Sequence, residues 1–319
     1  IVQILTQETD ESHAITTQRL IELLEAKGVS AERKSIYHDM DTLRECGFDV
    51  EHIGGKNGGY YLSSRTFELA ELKVLADAVC ASRFITEKKS RQLIQKIASL
   101  ASKHEAKQLR REVYVVNRVK SENENILYNI DEIYRAIDSN HQIMFQYLTY
   151  TVRKEEDFRR GGALYEVSPI SLTWNDENYY LIAYDSFAQM IKHYRVDRMK
   201  NIFLSEKQCD NTAGKNGFDL ALYCNKTFGM FAGEEEVVNV SFPNSLIGVV
   251  LDRFGKDVTL HEESPERFTA RLRVQVSAQF FGWITGLGSE VKIISPAYVA
   301  QEYAAHLEET LKKYKTANE

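Results

Sequence analysis

The sequence predicts an α+β chain of several domains, on three patterns. Apolar residues recur at helical spacing through residues 66–120: Leu69, Leu72, Leu75, Ala76 and Val79 form one stripe, and Leu93, Ile94, Ile97, Leu100 and Ala101 another. Residues 143–206 break into short runs rich in Tyr, Ile and Val with turns between them, which read as successive strands. From residue 236 onward the order is strand, helix, strand, strand, helix, strand. A chain of 319 residues has room for two or three domains, and 43% hydrophobic with 27% charged residues is ordinary globular composition.

Composition also bounds the partners. No apolar run is long enough to span a membrane and no signal peptide is visible, so the expectation is a cytoplasmic protein with no membrane partner. The first residue is Ile1 rather than Met, which predicts a first helix shortened by processing or truncation. The four cysteines, Cys46, Cys80, Cys209 and Cys224, show no metal-ligand spacing. They read as reduced thiols, and no metal or other cofactor is expected. A net charge of −6 means that any affinity for nucleic acid must come from local charge. Residues 83–120 supply one such place, with eleven Lys or Arg against three Glu. That segment is either the solvated face of helices or a nucleic-acid contact.

Residues 1–64 read as a winged helix-turn-helix. Thr16 or Thr17 caps a helix whose stripe is Leu20, Ile21, Leu23 and Leu24, and Lys27-Gly28 ends it. Ser30 caps a second helix running through Glu45, with Ile36, Met40 and Leu43 inward and Gly47 as its stop. Phe48–Ile53 alternates like a strand, Gly54-Gly-Lys-Asn-Gly-Gly59 suits a tight turn with positive φ, and Tyr60-Tyr-Leu62 returns. In such a unit the second helix enters the major groove with its N-terminal residues at the base edges. Arg33 has the fork that pairs bidentately with guanine, while Lys34, Ser35 and Tyr37 suit phosphates and His38 shares their face. Lys56 and Asn57 sit at the wing tip, placed for the backbone or the minor groove. An exposed polar face of a plain helical hairpin is the competing reading. The series of helix, turn, helix and Gly-rich hairpin favours double-stranded DNA. Asp39 and Asp41 read as local partners for Arg or Lys.

Residues 65–123 form the helical linker, with a surface for pairing with a second subunit. Residues 124–210 begin with an amphipathic helix (Ile126, Ile130, Ile133, Ile137) and continue as strands from Ile143-Met-Phe-Gln-Tyr-Leu148. The densest pattern lies in Tyr165–Trp174, Tyr179-Tyr180-Leu181 and His193-Tyr-Arg-Val-Asp-Arg198. On a strand His193 and Arg195 share a face and Tyr194 takes the other, while Tyr180 faces away from Tyr179 and Leu181. Trp174 and Leu181 read as core. A polar link near 210–217 leads to residues 235–319, whose order of elements is that of a ferredoxin-like split βαβ unit. Its final helix begins at Ser295-Pro296, with Pro in the first turn, where a missing N–H costs nothing.

Tyr179-Tyr180-Leu181 with Tyr165, Pro169, Arg195, Asp197 and Arg198 resembles the core of the WYL domain, named for a Trp-Tyr-Leu triplet; Tyr stands here for the Trp. The resemblance covers nearly the whole chain. It implies a bacterial transcription regulator with a DNA-binding head, an Sm-like barrel and a C-terminal extension. It also implies a barrel pocket for nucleotides or nucleic-acid ends. The polar residues nearest the motif are Tyr147, Ser168, Tyr180, His193, Arg195 and Arg198. Aromatic faces and guanidinium groups suit an anionic, base-bearing ligand. A surface ion-pair ladder through Arg195, Asp197 and Arg198, with the tyrosines as core, is the competing reading.

The expectation is therefore a homodimeric, ligand-responsive regulator on an inverted repeat. A single-strand-binding accessory protein using the barrel and the basic segment is the second reading. An enzyme using His193 is a distant third: no Ser/His/Asp order, paired carboxylates or P-loop stands out, and Gly54–Gly59 lacks the strand-to-helix setting of a dinucleotide site.

Overall fold

The computed structural model describes residues 1–55, 58–112, 120–175, 177–210, 223, 226–230 and 233–315, with side chains at all of these except 110–112. Lys56, Asn57, the 211–217 part of the polar link and part of the basic segment lie outside the described residues. The chain divides into two compact units, Ile1–Ile126 and Leu127–Glu319.

The first unit opens with helices α1 (Val2–Glu8), α2 (Thr17–Glu25) and α3 (Arg33–Glu45), followed by strands β1 (Val50–Ile53) and β2 (Gly59–Leu62). The predicted stripes form its core: Leu20, Leu24, Ile36 and Met40 pack with Leu5, Val50, Tyr60 and Leu62. Thr16 caps α2 by accepting from the Arg19 N–H, and Gly28 and Gly47 take positive φ just past the two helix ends. Helix α3 starts at Arg33 rather than after Ser30, because a capping box fixes it there. The Ser35 hydroxyl accepts from the Glu32 N–H and donates to the Glu32 carbonyl.

The wing glycines also differ from expectation in part. Gly55 has positive φ, but Gly59 does not. Gly59 is needed because a Cβ there would lie 2.2 Å from the Ile15 carbonyl oxygen. The chain before α2 runs against β2 at this point, with paired Ile15–Tyr60 backbone bonds of 2.8 Å.

Helices α4 (Leu69–Ala81), α5 (Glu87–Ala98) and α6 (Glu105–Glu112) complete the unit. Leu72, Ala98, Ala101, Ala106 and Leu109 form a small core of their own. Leu75 and Leu100, expected on the apolar stripes, stand exposed. This region is tied to the N-terminal helices by polar bonds: Ser102 Oγ donates to the buried Asp10 carboxylate at 2.6 Å, the Lys103 N–H donates to the Gln7 carbonyl, and Lys103 pairs with Glu8. Lys120 is engaged too, its Nζ donating to the Val79 and Ser82 carbonyls at the end of α4 and to Ser90 Oγ. Burial pushes the Lys120 amine down. Part of the basic segment therefore serves structure, since Arg91 pairs with Glu87 as well.

The second unit begins with α7 (Ile126–Ser139), then strands β3 (His141–Tyr150), β4 (Glu156–Phe158), β5 (Tyr165–Asn175), β6 (Asn178–Asp185), β7 (Met190–Arg195) and β8 (Met199–Gln208). These form a six-stranded antiparallel sheet in the order β4-β3-β5-β6-β7, with β8 returning to pair with β3. The sheet is a curled half-barrel. Ile143 of β3 stands opposite Val167 of β5 and Leu204 of β8. Register breaks at Pro169/Ser171 and at two places between β3 and β8 give the bends. Leu181 is fully buried as expected, but Trp174 is 49% exposed, edge-on to Tyr179 near the β5–β6 turn, so it is not core. Tyr165 and Tyr194, by contrast, are buried against Phe145.

A second sheet holds β9 (Glu234–Pro243), β10 (Thr259–Ser264), β11 (Arg267–Val276) and β12 (Lys292–Ser295), all antiparallel in the order β10-β11-β9-β12. Helices α8 (Ile247–Phe254), α9 (Ala278–Gly286) and α10 (Ala297–Lys315) complete this part. Val238, Val240, Phe242, Leu272 and Val274 pack with Val250, Phe280, Ile284 and Val299. Pro296 precedes α10 rather than lying in its first turn, and its carbonyl accepts from the Ala300 N–H.

Candidate nucleic-acid interface and effector site

In the first unit, α2 and α3 meet through a turn and β1–β2 follow as the antiparallel hairpin expected as a wing. A cleft of about 330 Å3 is lined from all three parts: Thr16, Thr17 and Gln18 at the start of α2, Arg33 and Tyr37 on α3, and His52, Gly55 and Gly58 at the wing. Arg33 Nε donates to the Tyr37 hydroxyl at 2.8 Å, one helical turn on, which holds both side chains on the exposed face. Lys34 and His38 are also exposed there. Ser35 belongs to the capping box. Arg44 anchors the wing to α3 by donating to the Val50 carbonyl at 2.8 Å and pairing with Asp41, the local role expected of that carboxylate. The N-terminus of α2 adds free backbone N–H groups and a positive partial charge, which suit a phosphate.

In the half-barrel, four rings form one cluster: Phe145, Tyr147, Tyr165 and Tyr194, with centroids 5.1 to 6.4 Å apart. The Tyr147 hydroxyl accepts from the Arg195 N–H at 3.0 Å. Arg195 closes a two-bond fork on Asp197, at 3.0 and 2.7 Å, across the turn that joins β7 to β8.

The sequence pattern behind this geometry has a match. Residues 128–204 match the WYL domain. This stretch of the chain is thus similar to a WYL domain. Residues 234–311 behind the WYL domain match the WCX domain. Among solved structures, the proteasome accessory factor B/C (PafBC) of Arthrobacter aurescens is similar at 17% identity and a TM-score of 0.31. The match covers 92% of this chain and 45% of that one, so the chain spans under half the length of this relative. No curated protein matches the chain.

Within the WYL domain the six predicted site residues divide. Tyr147 is buried in the ring cluster. Burial pushes its phenol up, against the Arg195 N–H and the charges of Arg198 and Arg159, which pull it down. Tyr180 lies opposite Arg195 on neighbouring strands and Arg198 ends the turn after β7, so Tyr147, Tyr180, Arg195 and Arg198 share one neighbourhood. Ser168 and His193 are engaged elsewhere. Ser168 is buried and accepts from Gln142 Nε2 and the Asp210 N–H. His193 Nε2 lies 2.9 Å from the Tyr223 hydroxyl. Burial pushes its imidazole down.

Two residues near this neighbourhood escaped the sequence reading. Arg159 and Arg160 form a short turn between β4 and β5. The Arg159 guanidinium lies 5.5 Å from the Tyr147 ring centroid and that of Arg160 lies 4.4 Å from the Tyr165 centroid. Their signal in the sequence is Arg-Arg-Gly-Gly ending two residues short of Tyr165, which marks a turn carrying two cations at the foot of a motif strand.

Proposed function

We propose that the chain is a sequence-specific, DNA-binding transcription regulator whose WYL domain senses a nucleotide or nucleic-acid ligand and alters DNA binding. On this reading residues 1–64 are the winged helix-turn-helix and residues 65–123 the helical segment behind it. The half-barrel is an Sm-like WYL domain, and residues 235–319 are a ferredoxin-like extension. The chain acts as a homodimer on an inverted repeat and has no catalytic role.

The observation that carries the reading is the cleft shared by α2, α3 and the wing. Its electrostatics support it. Arg33 and Lys34 occupy the first two positions of α3, where the helix's own positive end disfavours a cation by roughly 0.3–1 kcal/mol each. Anionic DNA at that end would offset the cost.

The test is a gel-shift panel of duplexes, starting with DNA flanking the chain's own gene, against single strands at fixed salt. R33A/K34A should lose sequence preference, at roughly 1–3 kcal/mol per base contact, with the fold unchanged. Wild-type affinity in this variant rules out α3 as the reading helix. Single-strand affinity at or above duplex affinity would favour a single-strand-binding accessory role instead.

A further inference from the structure

We propose that Arg159, Arg160 and Arg198 form a phosphate seat over the tyrosine rings at the foot of the WYL half-barrel. The proposal rests on the effector-sensing reading above and adds to it the residues and the chemical group.

The seat is built by local backbone geometry. Arg160 has φ 55° and ψ 32°, left-handed values that a non-glycine residue rarely adopts, and Gly161 and Gly162 continue at φ 61° and 85°. Two polar bonds hold this turn: Gln146 Nε2 donates to the Gly162 carbonyl at 2.6 Å, and the Ala163 N–H donates to the Arg160 carbonyl. Gln146 is itself fixed by Asn201 Nδ2 at 2.7 Å. The result puts consecutive arginines over two rings whose centroids are 6.1 Å apart. Arg198 comes from the other side of the sheet's sequence, close enough to act on the Tyr147 hydroxyl.

Three features separate this group from an ordinary surface cluster. First, the rings restrain the guanidinium groups, so little side-chain freedom is left to lose on binding. Second, among the described residues no carboxylate lies within ion-pair distance of Arg159, Arg160 or Arg198, whereas Arg195 beside them is fully paired with Asp197. Third, the Tyr194 hydroxyl in the same ring cluster is buried without a hydrogen-bond partner among the described residues, and it lies within electrostatic reach of Arg160. Buried polar groups of this kind call for an explanation. Three unpaired forks carry more charge and more donors than one carboxylate can use. A phosphate offers up to two charges and several acceptor oxygens, and guanidinium geometry matches it bidentately. The same group is found on free phosphate, on a nucleoside monophosphate and at the end of a strand.

The test is calorimetry on the full chain at fixed salt with four probes: inorganic phosphate, adenosine monophosphate, a short 5′-phosphorylated single strand, and the same strand with a 5′-hydroxyl. The phosphorylated strand should bind at least about tenfold more tightly than the hydroxyl strand, and the tightest phosphate-bearing probe identifies the source. R159A/R160A should lose at least about tenfold in affinity for that probe, the scale of one lost charge-assisted bond. R198A should lose a comparable factor. R159K/R160K, which keeps charge but not the fork, should fall between and stands in if the alanine variant does not fold. Equal binding of the two strands overturns the proposal, as does wild-type affinity in R159A/R160A or in R159K/R160K. If R159A/R160A binds as wild type while a probe still changes operator affinity, the seat is wrong but the effector reading survives. If no probe binds and none changes operator affinity, both are wrong.

Discussion

Asp10 shows how much one buried carboxylate can organise. It accepts from Ser102 Oγ, from the Ser12 N–H at 3.0 Å and from His13 Nδ1 at 2.7 Å, while His13 stacks on His104 with centroids 3.7 Å apart. Burial alone would push the Asp10 carboxyl up, but the bonds from Ser102, His13 and Ser12 together hold it below the ordinary 3.8. A carboxyl whose pKa falls on folding stabilises the fold above its unfolded value, and that contribution is lost as pH falls through the folded value. Asp10→Asn should therefore cost roughly 1–3 kcal/mol at neutral pH by leaving buried donors unmatched, and the gap to wild type should close as pH falls well below 3.8. Urea unfolding at both pH values measures this; a gap that does not depend on pH would mean that the charge on Asp10 contributes nothing. The pairing was not legible in the sequence, because Asp10 and Ser102 are 92 residues apart and neither stands in a motif. Trp174 misled for a related reason. Its type and its motif strand suggest core, but its place beside the β5–β6 turn decides its exposure.

At the scale of elements, legibility followed local physics. The ends of α2 and α3 were readable because Gly28 and Gly47 supply backbone conformations that other residues resist. The start of α3 was misread by two residues. Ser30 and Ser35 both fit a capping rule, and only the fold chooses the reciprocal Glu32–Ser35 box. The wing was readable as a Gly-rich hairpin, yet the reason for Gly59 was not, since it depends on Ile15 crossing nearby. That reason carries a prediction. A Cβ at residue 59 would stand 2.2 Å from a backbone oxygen, which no rotamer change can relieve. Gly59→Ala should destabilise the first unit by roughly 1–3 kcal/mol or more, with the strand pushed away from Ile15. Gly54→Ala, whose added Cβ meets nothing within 4 Å, is the matched control. Equal melting temperatures for the two variants would show that the wing does not pack against Ile15. The turn at Arg159-Arg160 was missed at this scale, because short irregular turns leave no periodicity to read.

For the whole molecule, the order of elements was legible because each stretch has its own pattern. Helical stripes, alternating strands and the strand-helix order after residue 236 need only neighbours in sequence. Assembly has no such local signature, but the C-terminal helix offers an argument for it. The first half of α10 packs on the WCX core through Val299, Ala300 and Tyr303. Beyond His306, which sits 5.8 Å from Phe281, Leu307, Leu311 and Tyr314 follow at spacings of four and three and are 39%, 51% and 74% exposed. That is one apolar stripe on a solvent-facing helical end, flanked by Glu308, Glu309, Lys312 and Lys313. An amphipathic end of this kind gains stability by meeting a second apolar surface, and a second copy of the chain would supply the same stripe in self-complementary form. The homodimer proposed for DNA binding should then depend on it. L307E/L311E should shift the chain from dimer to monomer in light scattering at micromolar concentration, while R33A/K34A should not. Because a two-fold operator is bound by two heads at once, the dissociated variant should also lose most of its affinity for an inverted repeat and keep its affinity for an isolated half-site. A wild-type chain that is monomeric both free and on DNA would remove the dimer from the proposal and leave each head to read its site alone.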